Sequence, residues 1–333
     1  MALETSCDDT ACAIVEDGRR VLASVVKSQD SVHAPFGGVI PELAARNHIQ
    51  WVNPCVAEAL ASAKLELSEI DAFAATLGPG LVGSLLVGAG TAKALSFLTG
   101  RPFIGVNHLT AHICSNFLES DLEPPFLCLL VSGGHTQLVK VNALDDIEIV
   151  GQTLDDAVGE AYDKVARLLD AGFPGGPAVD KLAQQGDPNA YSLPIAVTKH
   201  PYDFSFSGLK TAVMRLIERE TVACAGDPSA LALMRGNVAA SFQATVVRTL
   251  FLKTQRLMQE SGFQTLSIAG GVSANTALRA VFQEWITRCP GIRLFVPHLG
   301  YCTDNAAMVG SSAFFNPLTH DAKTEVFSRK LVI

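Results

Sequence analysis

The feature that most constrains this chain is an alternation of short apolar runs with longer amphipathic ones, which stops once and then starts again. VLASVVKS, AFAATL and PFIGVN read as strands. They alternate with PELAARNHIQWVNPCVAEALASAKL, GSLLVGAGTAKALSFLTG and HLTAHICSNFLES, whose apolar residues recur at three- and four-residue spacing, as on one face of a helix. After the proline-bearing joint LEPP at 122–125 the pattern restarts with FLCLLVSGG, its partner HTQLVKVN, the strand IEIVGQTL, and the helix DAVGEAYDKVARLLDA stopped by GFPGGP. An irregular stretch at 184–208 precedes the helices around LKTAVMRLIERE and LMRGNVAASFQATVVRTLFLKTQRLMQESG. TLSIAGG then feeds NTALRAVFQEWITRC, and IRLFVP precedes a last helix, NAAMVGSSAFF. This order predicts two mixed α/β domains in tandem, joined near 119–125. Both halves share the order strand, acidic or glycine-rich turn, strand, strand, helix, a hint of internal duplication.

Composition narrows the function classes. The 333 residues are 48% hydrophobic and 17% charged, enough apolar side chains for two cores and too many for a disordered chain. The formal net charge of −8 excludes a molecule that is basic overall, so a nucleic-acid partner needs a local patch or a second protein. The cysteines form no CxxC pair, which predicts reduced, mostly buried thiols. The start, MALETSCDDT, reads as neither a signal nor a transit peptide. The uncharged stretch Ala72–Ala92 is broken by Gly78, Pro79 and Gly80, and reads as strand, turn and helix rather than a membrane span.

Four groups of residues are candidates for chemistry. His108 and His112 in NHLTAHI lie four apart, so on a helix both imidazoles reach one cation; a carboxylate would complete a facial triad. The bland alternative is two surface or capping histidines. Asp304 in YCTDNAAM, between a strand and a helix, is the candidate third ligand, or simply a helix cap. Glycine turns at LLVSGGH, FPGGP and LSIAGGVSAN suit an anion, because backbone amides there are exposed and glycine admits close approach. Neither strand-end turn is a Walker A or a GxGxxG sequence. Asp8 and Asp9 follow the first strand, and Asp156, Glu160 and Asp163 are placed near one helical face, as ribose or metal–phosphate contacts or as a solvated acidic face. In SFSGLKTAV, Ser205 or Ser207 reads as a helix cap, with a Ser207–Lys210 nucleophile as a remote alternative.

Taken together, ETSCDDT, GGVIPELAARNH, GPGLVGSLLVGA, NHLTAHI, LLVSGGHTQL, DDAVGEAYDKVARLL, FPGGP, DFSFSGLKTAV, AGGVSAN and CTDNAAM resemble the TsaD family over nearly the whole chain. These are tRNA N6-adenosine threonylcarbamoyltransferases, formerly described as glycoproteases. The resemblance implies two tandem actin-like (ASKHA) domains with an interdomain nucleotide and metal cleft. It implies an N-terminal domain over 1–120 with a C-terminal helix, 304–333, packing back on it, and a second domain over 121–303 with an insertion at 184–240. It puts the metal on His108, His112 and Asp304, with Fe2+ favoured and Zn2+ as the alternative. It puts substrate and nucleotide on Leu130, Val131, Ser132, Gly133, Gly134, Asp163, Gly176, Asp180 and Asn275; the Gly270–Gly271 turn joins them as an adenylate cradle. Asp8 and Asp9 match an acidic pair at the catalytic cleft.

The implied reaction moves threonylcarbamoyl from threonylcarbamoyl-AMP to N6 of adenosine 37 in tRNAs reading ANN codons, forming t6A and releasing AMP. The implied partners are tRNA, a TsaC-like enzyme supplying the adenylate, and TsaB-like and TsaE-like proteins or a second copy in a homodimer, with no membrane. ATP is the alternative nucleotide. The implied location is the cytoplasm, or an organelle matrix or stroma if a transit peptide was removed. Competing readings are a metal-dependent glycoprotein endopeptidase, which lacks a Glu general base beside the histidines, and a non-catalytic actin-like scaffold, which needs no metal triad. Departures from the family pattern are a short first strand in MALETS, with some loss of stability expected, HLTAH in place of HxEGH, and an early C-terminus.

Overall fold

The computed structural model describes residues 1–315 and the backbone of 318–319. The chain divides into two compact units. The first comprises Met1–Pro124, Ala143–Asp146 and the segment from Pro297 onward; the second comprises Pro125–Asn142 and Ile147–Val296. The expected helix over 304–333 is helical at Ala306–Phe315, and its remainder lies largely outside the described residues.

In the first unit, β1 (Ala2–Glu4), β2 (Asp9–Glu16) and β3 (Arg20–Ser28) form an antiparallel meander. The short helix α1 (Asp30–His33) and the long α2 (Pro41–Ala63) follow. Then come β4 (Phe73–Gly78), α3 (Val82–Thr99), β5 (Phe103–Asn107) and α4 (His108–Cys114). In the second unit, β6 (Phe126–Val131), β7 (Thr136–Ala143) and β8 (Asp146–Gln152) lead to α5 (Val158–Leu168), α6 (Gly175–Ala183), α7 (Ser207–Ala223) and α8 (Pro228–Ser261). β9 (Thr265–Ala269), α9 (Thr276–Arg288) and β10 (Arg293–Phe295) close it. α10 (Ala306–Phe315) and β11 (Leu318–Thr319) return to the first unit.

The sheets run β11-β5-β4-β1-β2-β3 and β10-β9-β6-β7-β8. Setting β11 aside, the two orders are the same: a meander whose first strand sits centrally, then two parallel strands added beside it. The duplication hinted at by the sequence is therefore a repeat of topology. β1, though only three residues long, is that central strand, hydrogen-bonded to β2 on one side and β4 on the other.

Strand pleat sorts the first unit's core into two faces. Leu3, Cys12, Ile14, Phe73 and Ala75 point to one face and meet Val52, Cys55 and Ala59 of α2 and Ala89 and Ala92 of α3. Their neighbours Ala2, Ala11, Ala13 and Ala74 point to the other and meet Ala306, Ala307, Met308 and Val309 of α10. Because that second face is nearly all alanine, α10 lies close to the sheet, and a methyl at Gly310 would press on Val15. α10 also packs against α4, which carries the two histidines. α3 is the one helix among the described residues long and apolar enough to cross a membrane by length and composition; Ser84, Leu85, Gly88, Ala89 and Ala92 on it are buried. All eight cysteines remain thiols.

Candidate functional site

Asn107 ends β5 and caps α4, its side-chain oxygen accepting from Leu109 N (2.9 Å) and Thr110 N (3.2 Å). That cap fixes the first helical turn, so His108 and His112 share one face with ring centroids 4.6 Å apart. Asn305 caps α10 through Met308 N (2.9 Å), so the helix does not use Asp304 as its cap. The Asp304 carboxylate turns instead to the histidines. Its Oδ1 lies 3.6 Å from His108 Nε2 and 3.1 Å from His112 Nε2, and the three side chains offer ligand atoms within 4.8 Å of one another. Convergence of residues almost 200 positions apart follows from α10 packing beside α4.

Behind His108 sits Glu4, fully buried at the end of β1. It accepts from Ser6 N (2.5 Å) and Thr76 Oγ1 (2.5 Å), and its Oε2 lies 3.3 Å from His108 Nδ1. Donation from Nδ1 to this carboxylate leaves the Nε2 lone pair facing Asp304, the tautomer a metal ligand needs. Burial opposes charge on His108, but Asp304 and Glu4 overcome it and push the imidazole up to about 9. Burial likewise works against the Asp304 carboxylate, and the two imidazoles override it, holding it well below the usual range. His112 is 1% exposed, and neither ring nitrogen makes a well-angled hydrogen bond. A buried imidazole in that condition, beside a second imidazole and a carboxylate, fits a divalent cation of the Fe2+ or Zn2+ type. Sequence reasoning missed Glu4; its signal was a single carboxylate in an otherwise apolar strand.

Asp8 and Asp9 lie at the start of β2, close enough to Asp304 to feel its charge. Burial first, then Asp304 and Asp8, push Asp9 up to about 8; Asp8 is raised by burial and Asp304. One oxygen of Asp9 is buried without a hydrogen-bond partner.

The glycine turns belong to the second unit. β6 and β9 are parallel neighbours, so their carboxyl ends, Val131–Gly134 and Ala269–Gly271, lie side by side. Gly270 has φ +89°, and a Cβ there would strike the Val131 carbonyl oxygen, so only glycine fits. Gly133, Gly134 and Gly176 have open space where a Cβ would stand and none has a positive φ, so packing inside the chain does not require them to be glycine. Leu130 and Val131 are fully buried in β6 and offer a ligand only their backbone; Ser132 and Asn275 are nearly buried. Asp163 accepts from Gly175 N (2.9 Å) at the start of α6. Asp180 on α6 accepts from Gln243, and from Thr276, which opens α9 just after Asn275.

Two expectations need correction. Asp156 does not share a helical face with Glu160 and Asp163, because α5 begins at Val158; it is tied by Lys164 (2.7 Å) and Lys210 (3.7 Å). Neither Ser205 nor Ser207 caps α7. Asp155 does so from a distant loop, accepting from Phe206 N (2.8 Å), Ser207 N (3.2 Å) and both serine hydroxyls. With Ser207 so engaged and Lys210 paired to Asp156, nothing activates a Ser–Lys nucleophile.

Solved structures share the fold. Full-length HypF in its phosphate- and nucleotide-bound form superposes with a TM-score of 0.60 at 13% identity, over 94% of this chain and 45% of that one. Component A of the (R)-2-hydroxyglutaryl-CoA dehydratase of Acidaminococcus fermentans gives 0.51 at 14% identity, over 94% and 95% of the two chains. The fold is thus that of the actin-like ASKHA class. Within that class, the profile of TsaD, tRNA N6-adenosine threonylcarbamoyltransferase, matches residues 20–311. Enzymes of that name from Gloeothece citriformis (48% identity over 94% of this chain and 90% of theirs) and Gloeobacter violaceus (51% over 92% and 87%) align almost end to end. So does the one from Caldicellulosiruptor saccharolyticus (48% over 95% and 92%). The chain belongs to the TsaD family.

Proposed function

We propose that this chain transfers the threonylcarbamoyl group from threonylcarbamoyl-AMP to N6 of adenosine 37 in tRNAs reading ANN codons, releasing AMP. Family membership supports the transferase activity. The observation that carries the chemistry is the His108–His112–Asp304 triad with a buried imidazole lacking hydrogen-bond partners. Those three residues would hold a divalent cation, Fe2+ before Zn2+, which when bound supplies a Lewis acid for the transferred carbonyl.

The chain's own groups do the rest. Glu4 sets the His108 tautomer. Amides of the Gly133–Gly134 and Gly270–Gly271 turns would receive the adenylate phosphate, and Asp163, Gly176, Asp180 and Asn275 its nucleoside. As N6 attacks the carbamoyl carbon, the N–C bond forms and the carbon–oxygen bond to phosphate breaks. The amine proton goes to a carboxylate, and Asp9, raised to about 8, has the basicity for it. AMP leaves with the electron pair. Asp8 would orient the amine beside Asp9. Access to tRNA would be shared with TsaB-like and TsaE-like partners or a second copy, consistent with the net charge of −8. A TsaC-like enzyme would supply the adenylate, in the cytoplasm or an organelle matrix.

The test is incubation with threonylcarbamoyl-adenylate and unmodified tRNA, with and without chelator, for wild type and His108→Ala. Modified nucleoside is expected in wild type alone, and only without chelator. Full product from His108→Ala, or from chelated enzyme, would overturn the role given to the triad.

A further inference from the structure

Gln243, buried on α8, is the one polar side chain that touches both Asp180 and Asn275 among the described residues. Its Nε2 donates to Asp180 Oδ1 (2.9 Å), and its Oε1 accepts from Asn275 Nδ2 (2.8 Å) and, at 3.5 Å, from the buried Tyr162 hydroxyl. Neither end of this chain of bonds can reverse. Asp180 also accepts from Thr276 Oγ1 (2.9 Å) and Thr276 N (3.3 Å), so it faces Gln243 as an acceptor and demands an NH2 group. Asn275 Oδ1 accepts from Leu278 N (2.9 Å) as the cap of α9, so its NH2 must point back to Gln243. Only an amide at 243, donor at one end and acceptor at the other, satisfies both neighbours.

We infer that Gln243 is a positioning residue that locks Asp180 and Asn275 into one hydrogen-bonding polarity for the nucleoside. The inference rests on the nucleotide role proposed above for those two residues. Gln243 reaches the ligand only through them. Its loss would therefore weaken nucleotide binding and raise KM while leaving kcat at saturating adenylate little changed. Removing a bond to a charged group costs about ten- to a hundredfold in affinity when it acts through the bound state.

The experiment measures AMP affinity by calorimetry on the full chain, for wild type, Gln243→Glu, Gln243→Met and Asp180→Asn. Gln243→Glu sets a second carboxylate against Asp180, the one acidic group touching it; the phenol of Tyr162 is the other titratable neighbour. The expected result is roughly tenfold or greater weakening at pH 8 that shrinks, relative to wild type at the same pH, toward pH 5.5, because the introduced carboxyl regains a donor once it is protonated. Gln243→Met should weaken binding equally at both pH values. A purely structural role would make the stability of Gln243→Glu depend on pH but leave the AMP affinity of the folded protein at the wild-type value at both pH values. If both variants bind AMP as wild type does while Asp180→Asn does not, the inference on Gln243 falls and the nucleotide reading stands. If Asp180→Asn also binds normally, the nucleotide reading itself falls. Should neither Gln243 variant fold, the native protein decides: the Asn275 side-chain amide protons are expected to exchange slowly, and exchange at the free-amide rate would overturn the inference.

Discussion

Glu4→Gln keeps the size and shape of a buried side chain and removes its charge from behind His108. In the metal-free protein His108 is held at about 9, so a cation binding below that pH displaces a proton. At pH 7 that displacement is two units below the midpoint, a penalty of about 2.7 kcal/mol or a hundredfold in apparent affinity. The logarithm of Zn2+ affinity should therefore rise with a slope close to one per pH unit from 6 to 8 and flatten through pH 9. In Glu4→Gln one of the two carboxylates raising His108 is neutral, so the proton leaves more easily and the bend moves to lower pH. Above the bend the less basic imidazole binds metal more weakly, by about ten- to a hundredfold. The variant's curve should thus lie well below the wild type's at pH 9 and approach it toward pH 6. The assay is competition against a chelator of known Zn2+ affinity at half-unit pH steps. A flat wild-type curve between pH 6 and 8, or two parallel curves, would refute the coupling of Glu4 through His108.

The same groups lower stability as pH rises without metal, against an opposite pull between pH 6 and 8 from the Met1 amino group, which burial lowers to about 6. His108 sits above its unfolded value of 6.5 and Asp9 above 3.8, so the fold binds more protons than the unfolded chain between those values and about 9 and 8 respectively. Urea midpoints in chelator should fall from pH 5 to 9, and Asp9→Asn should flatten the part below pH 8. Gly270→Ala, forced to φ +89° against a carbonyl oxygen, should cost about 1–3 kcal/mol by urea unfolding. Gly133→Ala, with open space and ordinary φ, should shift stability by less than about 0.5 kcal/mol yet weaken AMP binding. Asp155→Ala strips the start of α7 of its acceptor and should cost about 1–2 kcal/mol, read by the same unfolding curves, without altering metal affinity.

The alternation of apolar runs determined most strands and helices, because period-two and period-3.6 patterns are local properties of a chain; β2 and α6 were not read from it. The HLTAH spacing likewise placed two imidazoles on one helical face, and the glycine pairs after FLCLLV and TLSIA marked turns at strand ends. Local sequence could not say that Asp155 would cap α7, since a helix start takes whichever acceptor the fold brings, and the nearer serines were the obvious candidates. Nor could it show that Glu4, Gln243 and Asp304 belong to their sites. Each meets a site partner more than 30 positions away: Glu4 meets His108 and Thr76 through the pairing of β1 with β4, Gln243 meets Asp180 through the packing of α8 on α6, and Asp304 meets the histidines through α10 lying on an alanine-lined sheet beside α4. Residue types and local geometry were written in the order of amino acids; which carboxylate meets which imidazole was decided by packing, because long-range contacts are made by whole faces of elements and not by the residues that use them.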